Sequence, residues 1–224
     1  MSYRIFLETG KKKTAAGAFD WPGWCRVDRD PDSAVDTLLE YGSRYAQVLH
    51  IGGIDFTPPT NLSGLTIVER ADGDATTDFG SPGVIFNTDR AAFTREELDL
   101  QISILEACWA AFDWAAASAG GKDLRKGPRG GGRNLEKITE HLIEAEQAYL
   151  RRLAWKFKRD KTLSFEEQLI RSRQAVAEAL ESAVSKGLPE SGPRGGVIWP
   201  ARYFLRRSAW HTLDHAWEIE DRII

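Results

Sequence analysis

The chain has 224 residues, 42% hydrophobic and 28% charged, with 30 basic against 33 acidic side chains and a formal net charge of −3. That length holds one large domain or two small ones and can bury a sizeable core. The charge balance gives no case for a nucleic-acid surface, and no apolar run approaches membrane-spanning length.

Residues 3 to 9 and 14 to 20 read as two strands joined by Gly10 and the turn Lys11-Lys12-Lys13. Trp21-Pro22-Gly23-Trp24-Cys25-Arg26 is a turn leading into a short third strand. Asp30-Pro31-Asp32 opens a helix: Asp30 can cap it, Pro31 suits its first position and Asp32 favours its positive end. Val35, Leu38, Leu39, Gly42, Tyr45, Ala46 and Leu49 continue it at helical spacing. A Gly/Pro-rich loop covers 50 to 63, and Leu65 to Arg70 returns as a strand. Asp72-Gly73-Asp74 with Asp78 lacks the later glycine and closing glutamate of an EF-hand, so it reads as a turn. Residues 71 to 93 read as a linker.

Four amphipathic helices follow, at about 94–118, 133–156, 164–186 and from Pro200 almost to the end. Each carries one apolar stripe, and a four-helix bundle is the simplest way to bury all four. The fold class is therefore α+β: a small N-terminal sheet with a helix (1–80), then a helical bundle (94–224). The N-terminus has no apolar signal core. Cys25 and Cys108 are far apart and fit no ligand spacing, which suits a cytoplasmic setting. The tryptophans 109, 114, 155, 199, 210 and 217 read as core and pocket wall. His50 stands beside a loop and is given no role.

The chemistry concentrates on the remaining three of the four histidines. His211 and His215 stand four apart on the stripe of the last helix, so both imidazoles can reach one spot. His141 lies on the stripe of the second bundle helix. Three neutral imidazoles suit zinc, nickel, iron(II) or copper(II), and three protein ligands leave a position open for water or substrate. The alternative is three satisfied core side chains. Glu144, Asp214 and Glu218 lie at helical spacing from these histidines. Each can orient an imidazole or face solvent, and Glu144 can instead act as a base.

The pair His141-Leu142-Ile143-Glu144 and Trp210-His211-Thr212-Leu213-Asp214-His215 resembles the histidine pattern of the DinB-like superfamily, over roughly 94–224. The resemblance implies a divalent-metal four-helix bundle, often a homodimer. It also implies relatives that use a low-molecular-weight thiol for S-transfer or isomerisation, the metal stabilising the thiolate. Many other relatives have no established activity. The first third, with Pro22-Gly23-Trp24-Cys25 and the acidic helix start at Asp30 and Asp32, resembles the HicB-like antitoxin fold. No DNA-binding segment of the kind HicB proteins add is visible, which leaves an accessory or oligomer-contact role.

Gly127-Pro128-Arg129-Gly130-Gly131 recurs as Gly192-Pro193-Arg194-Gly195-Gly196, each copy preceding a histidine-bearing helix. If those helices run parallel, Arg129 and Arg194 lie at one end. There, some 12–17 Å from the histidines at the helical rise, they can hold an anionic or polyhydroxyl ligand. The alternative is two ordinary Gly-rich connections. Three functions remain open: a metal-dependent enzyme acting through a thiol or water on a small-molecule substrate, a non-catalytic metal-binding sensor or interaction module, and a bundle without metal.

Overall fold

The computed structural model describes residues 2–126, 132–192 and 195–224. The protein is α+β. Four strands, β1 (Tyr3–Thr9), β2 (Thr14–Ala18), β3 (Cys25–Asp28) and β4 (Leu65–Asp72), form one sheet in the order β3-β2-β1-β4. β1 and β2 pair antiparallel, as do β2 and β3, while β4 runs parallel to β1. No helix among the described residues is long and apolar enough to cross a membrane.

The helix expected from Pro31 onward is two helices, α1 (Pro31–Glu40) and α2 (Gly42–Ile51). Asp30 caps α1 by accepting from the Ser33 N–H at 2.8 Å. α1 ends at Tyr41, and Gly42, a poor helix former in an interior, opens α2 instead of continuing α1. The expected linker holds a helix of its own, α3 (Ala75–Phe79), with Asp74 as its N-cap and the Asp74 N–H bonded to Thr77.

Both faces of β1 and β2 are covered, as the two-residue period of a strand allows, while the edge strand β4 has no buried residue. Ile5, Leu7, Ala16 and Ala18 share a core with α1, α2 and the long helices. Phe6, Ala15, Phe19 and Cys25 point the other way, onto Phe86 and Trp210. Trp210 precedes His211, so the second face of the sheet rests on the histidine-bearing helix itself.

The long helices are α4 (Arg95–Ser118), α5 (Leu135–Leu150), α6 (Phe165–Lys186) and α7 (Ala201–Arg222). Thr94 and Ser164 open α4 and α6 with reciprocal bonds to Glu97 and Glu167, and Asn134 caps α5 through the Lys137 N–H at 3.0 Å. α7 packs along α4, and α5 lies against α6 and α7. α5 stops earlier than its pattern suggests. A 3₁₀ turn (Arg151–Leu153) follows, and Ala154, at φ 56°, turns the chain away with the Trp155 N–H bonded to the Leu150 carbonyl.

α5 and α7 run antiparallel, not parallel. The end of α7 meets the chain before α5, where Arg222 Nη2 donates to the Arg133 carbonyl at 2.9 Å. The start of α7 meets the end of α5, where the Trp199 N–H donates to the Arg152 carbonyl at 2.9 Å. The starts of the two helices are therefore at opposite ends of the pair. Gly127–Gly131 and Pro193–Arg194, and with them Arg129 and Arg194, lie outside the described residues.

Two features fix α7 against the sheet. Arg206 and Asp89 form an ion pair at 2.7 Å whose side chains are 4% and 2% exposed, and the Arg206 guanidinium lies 4.3 Å from the Phe6 ring centre. Gly23, at φ +95°, lets the turn after β2 close on α7: a Cβ there would stand 2.8 Å from Leu213 Cδ1.

Candidate metal centre

α7 is buried over most of its length, and its stripe of Phe204, Ser208, His211, His215 and Ile219 is wholly buried. α5 contributes His141 from a half-buried position facing it. The structure brings all three histidines together, with one candidate ligand atom from each within 4.8 Å of the others. His211 Nε2 and His141 Nε2 are 3.1 Å apart. The three rings stand 4.7 to 5.1 Å apart at interplanar angles of 71° to 87°.

Neighbouring nitrogens on a tetrahedral zinc are about 3.3 Å apart, given Zn–N bonds of about 2.05 Å. The His141–His211 spacing is close to that value, and a small closure brings in His215. Two facing Nε2 atoms are also satisfied if one carries a proton and donates to the other. The donor set therefore fits a divalent metal, and His215 supplies the further reason.

His215 Nδ1 is 2.8 Å from Glu218 Oε2. Hydrogen bonding from His215, helped by Arg222, holds the Glu218 carboxyl below the usual range. An ionised carboxylate only accepts, so Nδ1 carries the proton, and in the neutral ring Nε2 presents its lone pair. This is the carboxylate–histidine arrangement that orients metal ligands. Glu218 is held in turn, since Arg222 Nη1 donates to its Oε1 at 2.5 Å. Arg222 also donates from Nε to the Arg125 carbonyl at 2.6 Å and from Nη2 to the Arg133 carbonyl at 2.9 Å. The chain entering α5 is thus tied through Arg222 and Glu218 to His215.

Electrostatics keep two of the imidazoles neutral. Burial, then the repulsion a protonated ring would meet beside His215 and Arg133, draws His141 down to about 4. Burial, then the neighbouring histidines, Arg207 and Arg133, takes His211 well below its ordinary value. Neither ring is an imidazolium at neutral pH, so a metal competes only with the single N–H of each neutral ring. Arg207 is fixed over Trp210, 4.6 Å from its ring centre, while the Tyr149 ring lies 5.8 Å from that of His211.

Of the nearby carboxylates, Glu218 turns inward to a ligand. Asp214 faces Arg26 at 3.6 Å, and Glu144 is exposed with its Oε1 3.4 Å from Arg159 Nη1. Glu144 therefore meets Arg159 and not an imidazole. Arg222, Arg207, Arg133 and Tyr149 were not singled out from sequence. Arg222 had a readable signal, standing four residues beyond Glu218 on the same helix. Arg207 stands four residues before His211 on the same helix and Tyr149 lies on the stripe that carries His141, so both were also readable, whereas Arg133 precedes α5 and had no spacing signal. Trp109, Trp210 and Trp217 are buried as expected, whereas Trp114 is 61% exposed.

Comparisons with protein-family models, with curated proteins and with solved structures found no match.

Proposed function

We propose that His141, His211 and His215 hold a divalent metal ion, and that the protein is a DinB-like metal protein that uses this centre on a small thiol. In this reading α4, α5, α6 and α7 form the four-helix bundle, and the sheet with α1 is a HicB-like accessory part that fixes α7. The observation that carries the reading is the convergence of three ring nitrogens with His215 oriented by Glu218.

Three histidines leave a coordination position for a ligand from solution. A divalent metal, when bound, supplies the Lewis acidity that favours a thiolate over a thiol at neutral pH. The residues do the rest. Glu218 fixes the His215 tautomer, Arg222 fixes Glu218, and Trp210 and Tyr149 wall His211. Arg133 and Arg207 add positive charge that favours an anionic ligand at the centre. An S-transferase is the activity this arrangement suits, with homodimerisation as the accompanying expectation. Glu144 can join as a proton carrier only by leaving Arg159.

Cobalt substitution tests the reading. Cobalt(II) bound by three imidazoles should give visible bands, and titration with glutathione or cysteine should add an intense near-ultraviolet sulfur-to-metal band. Bands that form with cobalt but ignore every thiol would remove the thiol part and leave a metal module or a hydrolase. No cobalt bands at all would remove the centre.

A further inference from the structure

A cavity of about 690 Å³ opens where the end of α5 meets the segment leading into α7. Four cationic side chains line it: Arg151, Arg152, Lys156 and Lys158. Four aromatic ones do as well: Tyr149, Trp155, Phe157 and Trp199. Among the described residues no acidic side chain lines it. In a chain where 33 acidic residues outnumber 30 basic ones, four cations around one cavity make a locally positive site, with Asp160 beside Lys158 as a neighbouring negative charge.

The walls are built rather than incidental. The Trp199 N–H donates to the Arg152 carbonyl, and Arg152 Nη1 donates back to the Val197 carbonyl at 3.3 Å, so the two sides are stitched together. The Tyr149 and Trp199 rings lie 5.0 Å apart. Ala154, in the same wall, is the one non-glycine residue with positive φ among the described residues. That conformation is strained for an alanine, and strained positions of this kind gather at ligand sites. The Lys156 and Arg151 side chains are exposed and make no side-chain hydrogen bond or ion pair among the described residues, so their charges can face a ligand.

We infer that this cavity binds an organic anion carrying a planar ring. The aromatic walls take the ring face, and the lysine and arginine side chains take the acid group. Tyr149 stands between the cavity and the histidines, its ring near Trp199 on one side and near His211 on the other. Tyr149 thus separates a bound molecule from the histidines. The ligand class stands without the metal.

The probe is 1-anilinonaphthalene-8-sulfonate, with N-phenyl-1-naphthylamine as its uncharged counterpart, each titrated into the full chain with and without added zinc. The sulfonate should bind the folded protein saturably, the amine far more weakly, and both zinc conditions should behave alike. Lys156→Glu with Lys158→Glu alters two exposed side chains and should weaken sulfonate binding about tenfold or more while leaving the amine unchanged. Competition by 1-naphthoate or by 1-naphthyl phosphate then identifies the preferred acid. Equal binding of the two dyes, an unchanged dissociation constant in the double variant, or failure of both competitors would overturn the inference. Sulfonate binding in a protein that takes up no zinc would support the cavity while removing the metal reading.

Discussion

Replacing Glu218 by glutamine should loosen the metal while preserving the fold. Arg222 Nη1 donates to one carboxylate oxygen at 2.5 Å, and the other oxygen faces His215 Nδ1 at 2.8 Å. In the variant the arginine pins the amide oxygen on its own side. The NH₂ group then faces Nδ1, which must accept, so the ring proton moves to Nε2, the nitrogen a metal needs. Losing such an orienting partner weakens metal binding about 10- to 100-fold, or roughly 1.4–2.7 kcal/mol. Arg222 keeps both carbonyl acceptors and Glu218 is 28% exposed, so the metal-free protein should lose only about 1–2 kcal/mol of stability. Equilibrium competition with a chromophoric chelator measures the affinity, and urea unfolding of the metal-free protein measures the fold. A folded variant with wild-type affinity would refute the reasoning.

Other consequences concern the scaffold. Glu146 is buried beside Ser172, Trp109, Arg173 and Asp113, and burial lifts its carboxyl to about 7. The folded protein then holds this proton more tightly than the unfolded chain does. The stabilisation is complete below the unfolded value of 4.5 and is lost as pH rises through about 7, a change of up to about 3 kcal/mol. Urea unfolding at pH 5 and pH 8 should show that loss, and Glu146→Gln should flatten it; an equal slope in the variant would contradict the assignment. Asp89→Asn leaves Arg206 charged and buried, and should cost about 3–5 kcal/mol in urea unfolding, with a cost below about 1 kcal/mol arguing against a structural pair. Gly23→Ala meets both a positive φ and Leu213, and should lower stability by about 1–3 kcal/mol; an unchanged melting temperature would show that the turn shifts freely.

The histidine cluster was legible because helical spacing is a strong local constraint. Two residues four apart on one stripe must share a face, and the stripe of α7 is buried as its pattern predicts. The sheet was legible in its strands, and Asp30 caps α1 as its position suggests. What spacing does not carry is direction. Nothing local sets whether α5 and α7 run parallel, and the parallel arrangement that would bring their two glycine-rich approaches to one end is not the one found. Glu144 shows the same limit: three residues beyond His141, its side chain is drawn to Arg159, which comes from beyond the end of α5. The left-handed turn at Ala154 has no glycine to announce it, so the helix pattern runs on past the point where α5 stops. The covering of the sheet's second face by Trp210 and Phe86 is a long-range contact, invisible in either segment alone.

The most direct measurement is elemental analysis of the full-length protein purified without chelator, beside a His211→Ala variant prepared identically. Wild type should carry close to one divalent metal ion per chain, and His211→Ala, folded by circular dichroism, should carry almost none. Wild-type protein free of stoichiometric metal even after zinc, nickel or iron(II) is supplied, or a His211→Ala variant that retains it, would contradict a three-histidine centre.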